Sequence, residues 1–181
     1  LRGHVDKGVR EIISHSFKIN LNDPSIEPLC EKFLDHYLEK MCQYTEYFLG
    51  VDNVLNYLHE NNIPWGIVTN RPHFLVQPII KKFNFDTYPV CMVYGDTLSE
   101  AKPSPAPLSH ASQTLKLPAN NIAYVGDTVN DMIAANAAGM QTVFANYGYL
   151  RQGSNLTTCK IQYTINQADE LIAWLQKAAV A

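Results

Sequence analysis

After residue 50 of this 181-residue chain, short apolar runs alternate with helix-like segments. The runs are "WGIVT", "VCMVY", "IAYVG" and "TVFAN", and the segments between them include "FLVQPIIKKFN", "PLSHASQTLKL" and "DMIAANAAG". Short, continuously apolar runs are typical of parallel strands buried on both faces, with a crossover helix after each strand. This part of the chain is therefore predicted to form a doubly wound α/β domain around a parallel sheet.

The first part of the chain has a different pattern, since its apolar residues recur at spacings of three and four. The segment "VREIISHSF" is helix-like, and after the break "NLNDPS" a second helix is expected to open at Asp23 and Pro24. The sequence thus predicts an α-helical subdomain over residues 1–50 and an α/β core over residues 51–181.

Charge and composition exclude several classes of partner. Charged residues make up 17% of the chain, the formal net charge is −3, and the lysines and arginines are scattered. Scattered basic residues form no patch that would attract nucleic acid. No apolar run approaches the ~20 residues that span a membrane. The four cysteines form no C-x-x-C pair, so we expect reduced thiols and a cytoplasmic location.

Polar side chains follow three of the predicted strands. Thr69, Asn70 and Arg71 come after the first run, Lys102 lies in the loop after the second, and Asp127 and Asp131 follow the third. In open parallel sheets, ligands bind beyond the carboxyl ends of the strands. These side chains are therefore expected to face one crevice.

Each of these residues also has a purely structural interpretation. Thr69 or Asp127 would serve as a helix N-cap, Asp131 would be a favourable charge in a first helical turn, and Lys102 would be an exposed loop residue. The combination favours a binding site, because two acids after a buried strand suit a hard cation such as Mg²⁺. A lysine and a threonine hydroxyl on neighbouring loops suit a phosphate group.

Three ordered motifs resemble those of the haloacid dehalogenase-like hydrolases. They are "VTN" at 68–70, "KPSPAP" at 102–107 and "VGDTVNDM" at 125–132. The helical first part resembles the small α-helical cap of this family. Within the family, "KGVREII", "WGIVTNRP" and "YGYL" resemble the phosphoglycolate phosphatase group, and "IPWGIVTNRPHFLVQPI" equally resembles a branch that acts on sugar phosphates such as N-acetylmuramic acid 6-phosphate.

The resemblance implies a Mg²⁺-dependent phosphatase of small phosphorylated metabolites that works through an aspartyl-phosphate. Thr69, with the backbone of Asn70, would bind the transferring phosphoryl group. Lys102 would neutralise the nucleophile and the phosphate. Asp127 would ligate Mg²⁺, and Asp131 would hold the waters of the metal or Lys102.

Two arginines are further candidates for binding the substrate. Arg10, in the helical part, is a candidate to reach an anionic substrate, and a solvated helix face is the alternative. Arg71 is a similar candidate, and a structural ion pair is its alternative. Tyr147 and Tyr149 follow the last apolar run, where they would border the cleft or simply pack.

One motif of the family has no counterpart in these 181 residues. It is the D-x-D segment at the end of the family's first strand, and here no two aspartates are separated by a single residue. In the family this strand lies between the strands that bear Thr69 and Asp127, so its absence would leave two strand edges unpaired there, an arrangement in which a stable domain is not expected. The chain is therefore expected to lack roughly the first 40 residues of its parent, including the nucleophile, and by itself to be inactive.

A hypothesis of a different class remains open. The chain would be a shortened product that binds phosphate or a partner without turnover. Neither the exact substrate nor the oligomeric state follows from the sequence.

Overall fold

The computed structural model describes residues 8–85, 89–149 and 155–178. The chain divides into two compact units, a smaller one that extends to Thr45 and a larger one that begins at Glu46. Each unit has its own buried core.

The smaller unit is helical. It contains α1 (Val9–Phe17) and α2 (Ile26–Lys40), which pack through the buried side chains of Ile13, Ile26 and Cys30. The second helix begins three residues after the predicted Asp23, because the Asp23 carboxylate accepts hydrogen bonds from the backbone and hydroxyl of Ser25 and forms a turn.

The larger unit alternates strands and helices, as the apolar pattern predicts. In chain order its elements are α3 (Val51–Glu60), β1 (Gly66–Val68), α4 (His73–Lys82), β2 (Cys91–Val93), α5 (Ala106–Leu115), β3 (Ala123–Gly126), α6 (Val129–Ala137), β4 (Gln141–Ala145), β5 (Tyr163–Ile165) and α7 (Glu170–Ala178). Strand β5 and helix α7 extend the predicted series.

All the strand pairs are parallel, and they form two sheets. Strands β1 and β2 pair in one sheet, and the other has the order β3-β4-β5. Strands β1 and β3 are not paired with each other in the part of the chain that the structure describes. The expected pair of free strand edges, between the strands that lead to Thr69 and Asp127, is therefore present.

Helices pack on the sheets through several hydrophobic clusters. Leu108 of α5 and Ala134 of α6 are completely buried together with partly buried Val68 and Tyr124 from the strands. Helices α3 and α7 share a second cluster around Val54 and Ala168. Strand residues that are almost completely buried include Val93, Val143 and Ile165, as expected for strands that appear as apolar runs.

Every helix in the described ranges is too short or too polar to span a membrane.

Candidate active site

The residue after β1 extends the parallel ladder and then starts a turn. The Thr69 N–H donates to the Val93 carbonyl oxygen at 2.9 Å, and the Thr69 hydroxyl oxygen accepts from the Arg71 N–H at 3.1 Å. The N-cap position of α4 is Pro72. The N-cap interpretation of Thr69 is therefore wrong, and Thr69 is placed at the carboxyl end of β1.

The next residue fastens two loops together. The Asn70 side-chain amide donates to the Lys102 carbonyl oxygen at 2.8 Å, and its oxygen accepts from the Lys102 N–H at 3.0 Å. The same loop lies against Gly95, where an added Cβ would be 2.1 Å from the Asn70 carbonyl oxygen. The side chain of Asn70 thus fixes the Lys102 backbone, while the Thr69–Asn70 backbone lies against the loop after β2.

The side chain of Lys102 turns inward and is 9% exposed, so the exposed-loop interpretation is wrong. Its ammonium donates to the Val68 carbonyl oxygen at 2.9 Å, the Tyr124 hydroxyl at 2.7 Å and Asp131 Oδ1 at 2.8 Å. An ammonium has three N–H donors, and each has an acceptor here. Lys102 therefore holds a buried positive charge at the carboxyl ends of β1 and β3.

The carboxylate of Asp131 is 8% exposed, and both of its oxygens are engaged. Oδ1 meets Lys102, and Oδ2 accepts from the Thr128 N–H at 3.0 Å and the Thr128 hydroxyl at 2.7 Å. Thr128 is the N-cap of α6 and forms a capping box with Asp131. Asp131 thus combines its predicted helix-start position with an ion pair, whereas the N-cap interpretation of Asp127 is wrong.

The cluster has characteristic proton affinities. Burial alone would raise the pKa of the Asp131 carboxyl, but the Lys102 charge and the hydrogen bonds from Lys102 and Thr128 outweigh burial and hold that pKa below its usual value. Burial, followed by the negative charge of Asp131, raises the pKa of Tyr124 well above its usual value. At neutral pH the site therefore contains an ionised Asp131 and a protonated Tyr124.

Asp127 lies at the end of β3 and is supported by the loop after the neighbouring strand β4. Its Oδ2 accepts from the Tyr149 N–H at 2.6 Å. A Cβ added at Gly148 would lie 2.3 Å from the Asp127 Cβ and 2.4 Å from Oδ2. This loop can approach the carboxylate only because residue 148 has no side chain.

The donor set fits a hard cation at Asp127 better than at Asp131. One Asp127 oxygen accepts from a backbone N–H, and the other has no hydrogen-bond partner among the described residues, whereas both Asp131 oxygens accept hydrogen bonds inside the protein. Mg²⁺ binds few carboxylates and keeps several waters. In residues 8–85, 89–149 and 155–178 no group of three His, Cys, Asp or Glu side chains forms a metal cluster, so Asp127 needs further oxygen ligands.

The two candidate arginines belong to different units of the chain. Arg71 is exposed in the turn after Thr69. Arg10 belongs to the helical unit, where its guanidinium contacts the Glu27 carboxylate and donates to the Leu21 carbonyl oxygen at 2.7 Å. Their predicted roles in substrate binding stay predictions.

Sequence reasoning did not identify two residues of the site. Tyr124 lies inside the apolar run "IAYVG". Because a hydroxyl in a buried strand needs a hydrogen-bond partner, this position could have indicated a polar contact. Gly148 lies within the segment "YGYL", and no local feature of the sequence predicts its contact with Asp127.

The buried Lys102–Asp131 pair, Thr69 and Asp127 come from segments that follow the carboxyl ends of parallel strands, which is where α/β folds place their ligand sites. A family model described as haloacid dehalogenase-like hydrolase matches residues 2–145. The chain belongs to the haloacid dehalogenase-like hydrolases.

Individual relatives agree with this assignment. The chain is 34% identical over 179 residues to a phosphoglycolate phosphatase of Xanthomonas campestris, covering 97% of this chain and 80% of the relative. It is 28% identical over 178 residues to an N-acetylmuramic acid 6-phosphate phosphatase of Pseudomonas aeruginosa, covering 98% and 79%. The predicted family is confirmed, and so is the class of phosphoric monoester hydrolase.

Solved structures agree as well. A crystal structure described as that of a predicted phosphoglycolate phosphatase from Haemophilus somnus has a TM-score of 0.83 and 26% identity, covering 93% of this chain and 76% of that one. A hydrolase of the same superfamily from Geobacter sulfurreducens has a TM-score of 0.72 at 21% identity, covering 93% and 73%. The predicted α/β fold is confirmed.

Proposed function

We propose that this chain belongs to a Mg²⁺-dependent phosphatase that hydrolyses small phosphorylated metabolites through an aspartyl-phosphate. The observation that carries the proposal is the buried Lys102–Asp131 pair, whose ammonium is hydrogen-bonded to the residue just before Thr69. A positive charge and a hydroxyl then lie at the end of one strand, where a phosphoryl group is to be stabilised. The acceptor aspartate is not among these 181 residues.

The reaction proceeds in two displacements. A carboxylate oxygen of the acceptor aspartate attacks phosphorus, the bond to the substrate oxygen breaks, and the leaving oxygen takes a proton. Water then attacks phosphorus and gives up a proton, the bond between phosphorus and the aspartate oxygen breaks, and inorganic phosphate and the free carboxylate are released. In both steps the Thr69 hydroxyl donates a hydrogen bond to the phosphoryl group, and the Lys102 charge offsets the negative charge on its oxygens.

The cation has a defined place in this proposal. Bound at the available oxygen of Asp127, Mg²⁺ would supply charge neutralisation for the phosphoryl oxygens. Asp131 keeps Lys102 oriented, since its own oxygens are committed to Lys102, Tyr124 and Thr128. Its assignment as a metal-site residue is therefore proposed only through waters of the cation.

The substrate is proposed to be 2-phosphoglycolate-like, in line with the 34% identical relative. A sugar phosphate such as N-acetylmuramic acid 6-phosphate is the second candidate, and the aromatic residues next to Asp127 favour it. Phe48 and Tyr149 are 39% and 55% exposed, and their rings lie 5.5 Å apart. Aromatic faces suit the apolar face of a pyranose ring, whereas phosphoglycolate has no such face.

The test is phosphate release by the complete gene product, with and without Mg²⁺. The substrates are p-nitrophenyl phosphate, 2-phosphoglycolate and N-acetylmuramic acid 6-phosphate. Hydrolysis that requires Mg²⁺ and falls by about 10³-fold in both Lys102→Ala and Asp127→Asn supports the proposal. Near-normal activity of either variant would overturn it.

The intact mass under denaturing conditions must accompany the assay. Material close to the 20.4 kDa of this chain contains no D-x-D segment and is expected to be inactive. If the gene product itself has the mass of this chain, is inactive toward every phosphomonoester and binds inorganic phosphate, the alternative of a shortened binding protein without turnover is supported. If larger material is inactive toward every phosphomonoester, the proposed function is rejected. A cytoplasmic location is part of the proposal, supported by four cysteines that form no disulfide with one another.

A further inference from the structure

The hydroxyl of Tyr124 lies at the centre of the buried polar cluster. Its ring begins on β3 and is partly exposed, but the oxygen lies between Lys102 Nζ at 2.7 Å, Asp131 Oδ1 at 3.1 Å and the Val68 carbonyl oxygen at 3.3 Å. Tyr124 is therefore in contact with both members of the ion pair and with the end of β1.

The directions of these hydrogen bonds follow from counting protons. Lys102 can only donate, and an ionised carboxylate or a carbonyl can only accept. The tyrosine oxygen must therefore accept from Lys102, and its single proton is donated to the shorter of its two remaining contacts, Asp131 Oδ1. Tyr124 thus links the ammonium to the carboxylate by a second route beside their direct contact.

The Val68 carbonyl points away from strand β2. Because the Thr69 N–H pairs with β2, the Val68 carbonyl lies on the opposite edge of β1, the one that is not paired. Lys102 reaches that carbonyl and the Tyr124 hydroxyl from the same side. Two acceptors from separate sheets therefore fix the position of one ammonium.

A lysine side chain has four rotatable bonds, so a single partner does not fix its ammonium. Replacing the tyrosine by phenylalanine would leave one buried N–H of Lys102 without its acceptor and remove one donor from Asp131. The remaining two acceptors allow the ammonium to rotate away from the end of β1.

We propose that Tyr124 is a positioning residue, whose hydroxyl holds the Lys102 ammonium at the carboxyl end of β1 where the phosphoryl group is to be stabilised. The catalytic half of this proposal rests on the proposed function. The geometric half does not, and it is measured separately.

The geometric test uses the 181-residue chain and the side-chain ammonium signals in ¹H–¹⁵N NMR spectra. An ammonium with three buried acceptors exchanges slowly and gives its own signal, which is assigned by its loss in Lys102→Met. Tyr124→Phe is expected to shift and broaden that signal. Tyr163→Phe is the matched control, since Tyr163 lies on β5 against Trp174, and it should leave the signal unchanged.

A second variant covers the case in which Tyr124→Phe does not fold. Replacement of Tyr124 by 3-fluorotyrosine keeps the shape of the side chain and weakens its oxygen as an acceptor. The Lys102 signal should move in this protein as well. A Lys102 signal that is the same in wild type, Tyr124→Phe and the fluorinated protein would overturn the proposal.

The catalytic test compares kcat and KM of the complete gene product with p-nitrophenyl phosphate. Loss of a hydrogen bond to a charged group predicts a kcat lower by about 10-fold in Tyr124→Phe. KM should change little, because the lost interaction acts in the transition state. A kcat equal to wild type in Tyr124→Phe, or an equal loss of kcat in Tyr163→Phe, would contradict the proposal for Tyr124. A wild-type protein without phosphatase activity would instead reject the proposed function, and the NMR result would still stand.

Discussion

The two units of this protein treat charge in opposite ways. In the helical unit, Arg10 and Glu27 form an ion pair whose side chains are 47% and 63% exposed. In the α/β unit, Lys102 and Asp131 form a pair whose side chains are 9% and 8% exposed. The same type of ion pair is therefore solvent-exposed in one unit and buried in the other.

This difference shows which charges need a special environment. An exposed pair contributes little to stability because water competes for both partners. A buried pair loses its hydration, and it is tolerated only when every donor and acceptor is satisfied. Lys102 and Asp131 meet that condition through Tyr124, Thr128 and Val68, and this arrangement suits a site that must hold an anion.

The largest expected effect is the loss of one member of the buried pair. Lys102→Ala leaves the Asp131 carboxylate buried without its cation, so the free energy of unfolding should fall by ~3–5 kcal/mol. Urea unfolding of the 181-residue chain measures this. The double variant Lys102→Met/Asp131→Leu removes both charges and should recover most of the loss, and a double variant as unstable as Lys102→Ala would show that packing, not charge, dominates.

A smaller effect is expected at the loop that supports Asp127. The φ of Gly148 is not in the left-handed region, so the backbone itself accepts alanine, and only the contact with Asp127 opposes a side chain. Gly148→Ala should lower the free energy of unfolding by ~1–3 kcal/mol through overpacking. In an Asp127→Gly background the same substitution should cost much less, and an equal cost in both backgrounds would reject this explanation.

The next smaller effect is a difference between the two units in how acid changes the free energy of unfolding. The pKa of Asp131 is held below its usual 3.8, so its stabilising contribution is present above that pH and is lost as the pH falls through the lower folded value. Unfolding curves between about pH 5 and pH 1 should therefore show a steeper loss in wild type than in Asp131→Asn. Parallel curves would contradict this expectation.

Asp23 in the helical unit provides the comparison for that measurement. Hydrogen bonds from the Ser25 backbone and hydroxyl lower its pKa in the same direction, but the group is fully exposed. Asp23→Asn should therefore change the acid limb less than Asp131→Asn does.

The smallest effect on stability is expected for Arg10. Arg10→Ala should change the free energy of unfolding by less than ~1 kcal/mol, as for other exposed pairs. If Arg10 also reaches an anionic substrate, the variant should lose more activity on 2-phosphoglycolate than on p-nitrophenyl phosphate in the complete gene product. Equal losses on the two substrates would confine Arg10 to its contact with Glu27.

The strands and the polar residues at their carboxyl ends were predictable because their sequence signals are local. An apolar run followed by a polar turn is contained within a few residues, as in "WGIVTN" and "IAYVGD". Strand β5 is different, because "YTI" is short and has polar neighbours, and it becomes a strand only by pairing with β4. Its recognition requires the sheet that it joins.

The inner contacts of the site were not predictable for a related reason. Tyr124 meets Lys102 and Val68 only because three separate segments converge, and Gly148 meets Asp127 only because β3 and β4 are neighbours. Such contacts depend on the order of strands in space. Motif spacing along the chain does not contain that order.

The free edge of β1 has a consequence for how this chain behaves at high concentration. An unpaired strand edge offers N–H and C=O groups to any extended segment, which makes it a starting point for aggregation. The Lys102 ammonium already donates to the Val68 carbonyl oxygen on that edge. Lys102 thus also protects this edge, because a foreign strand must displace a buried charge before it can add to the sheet.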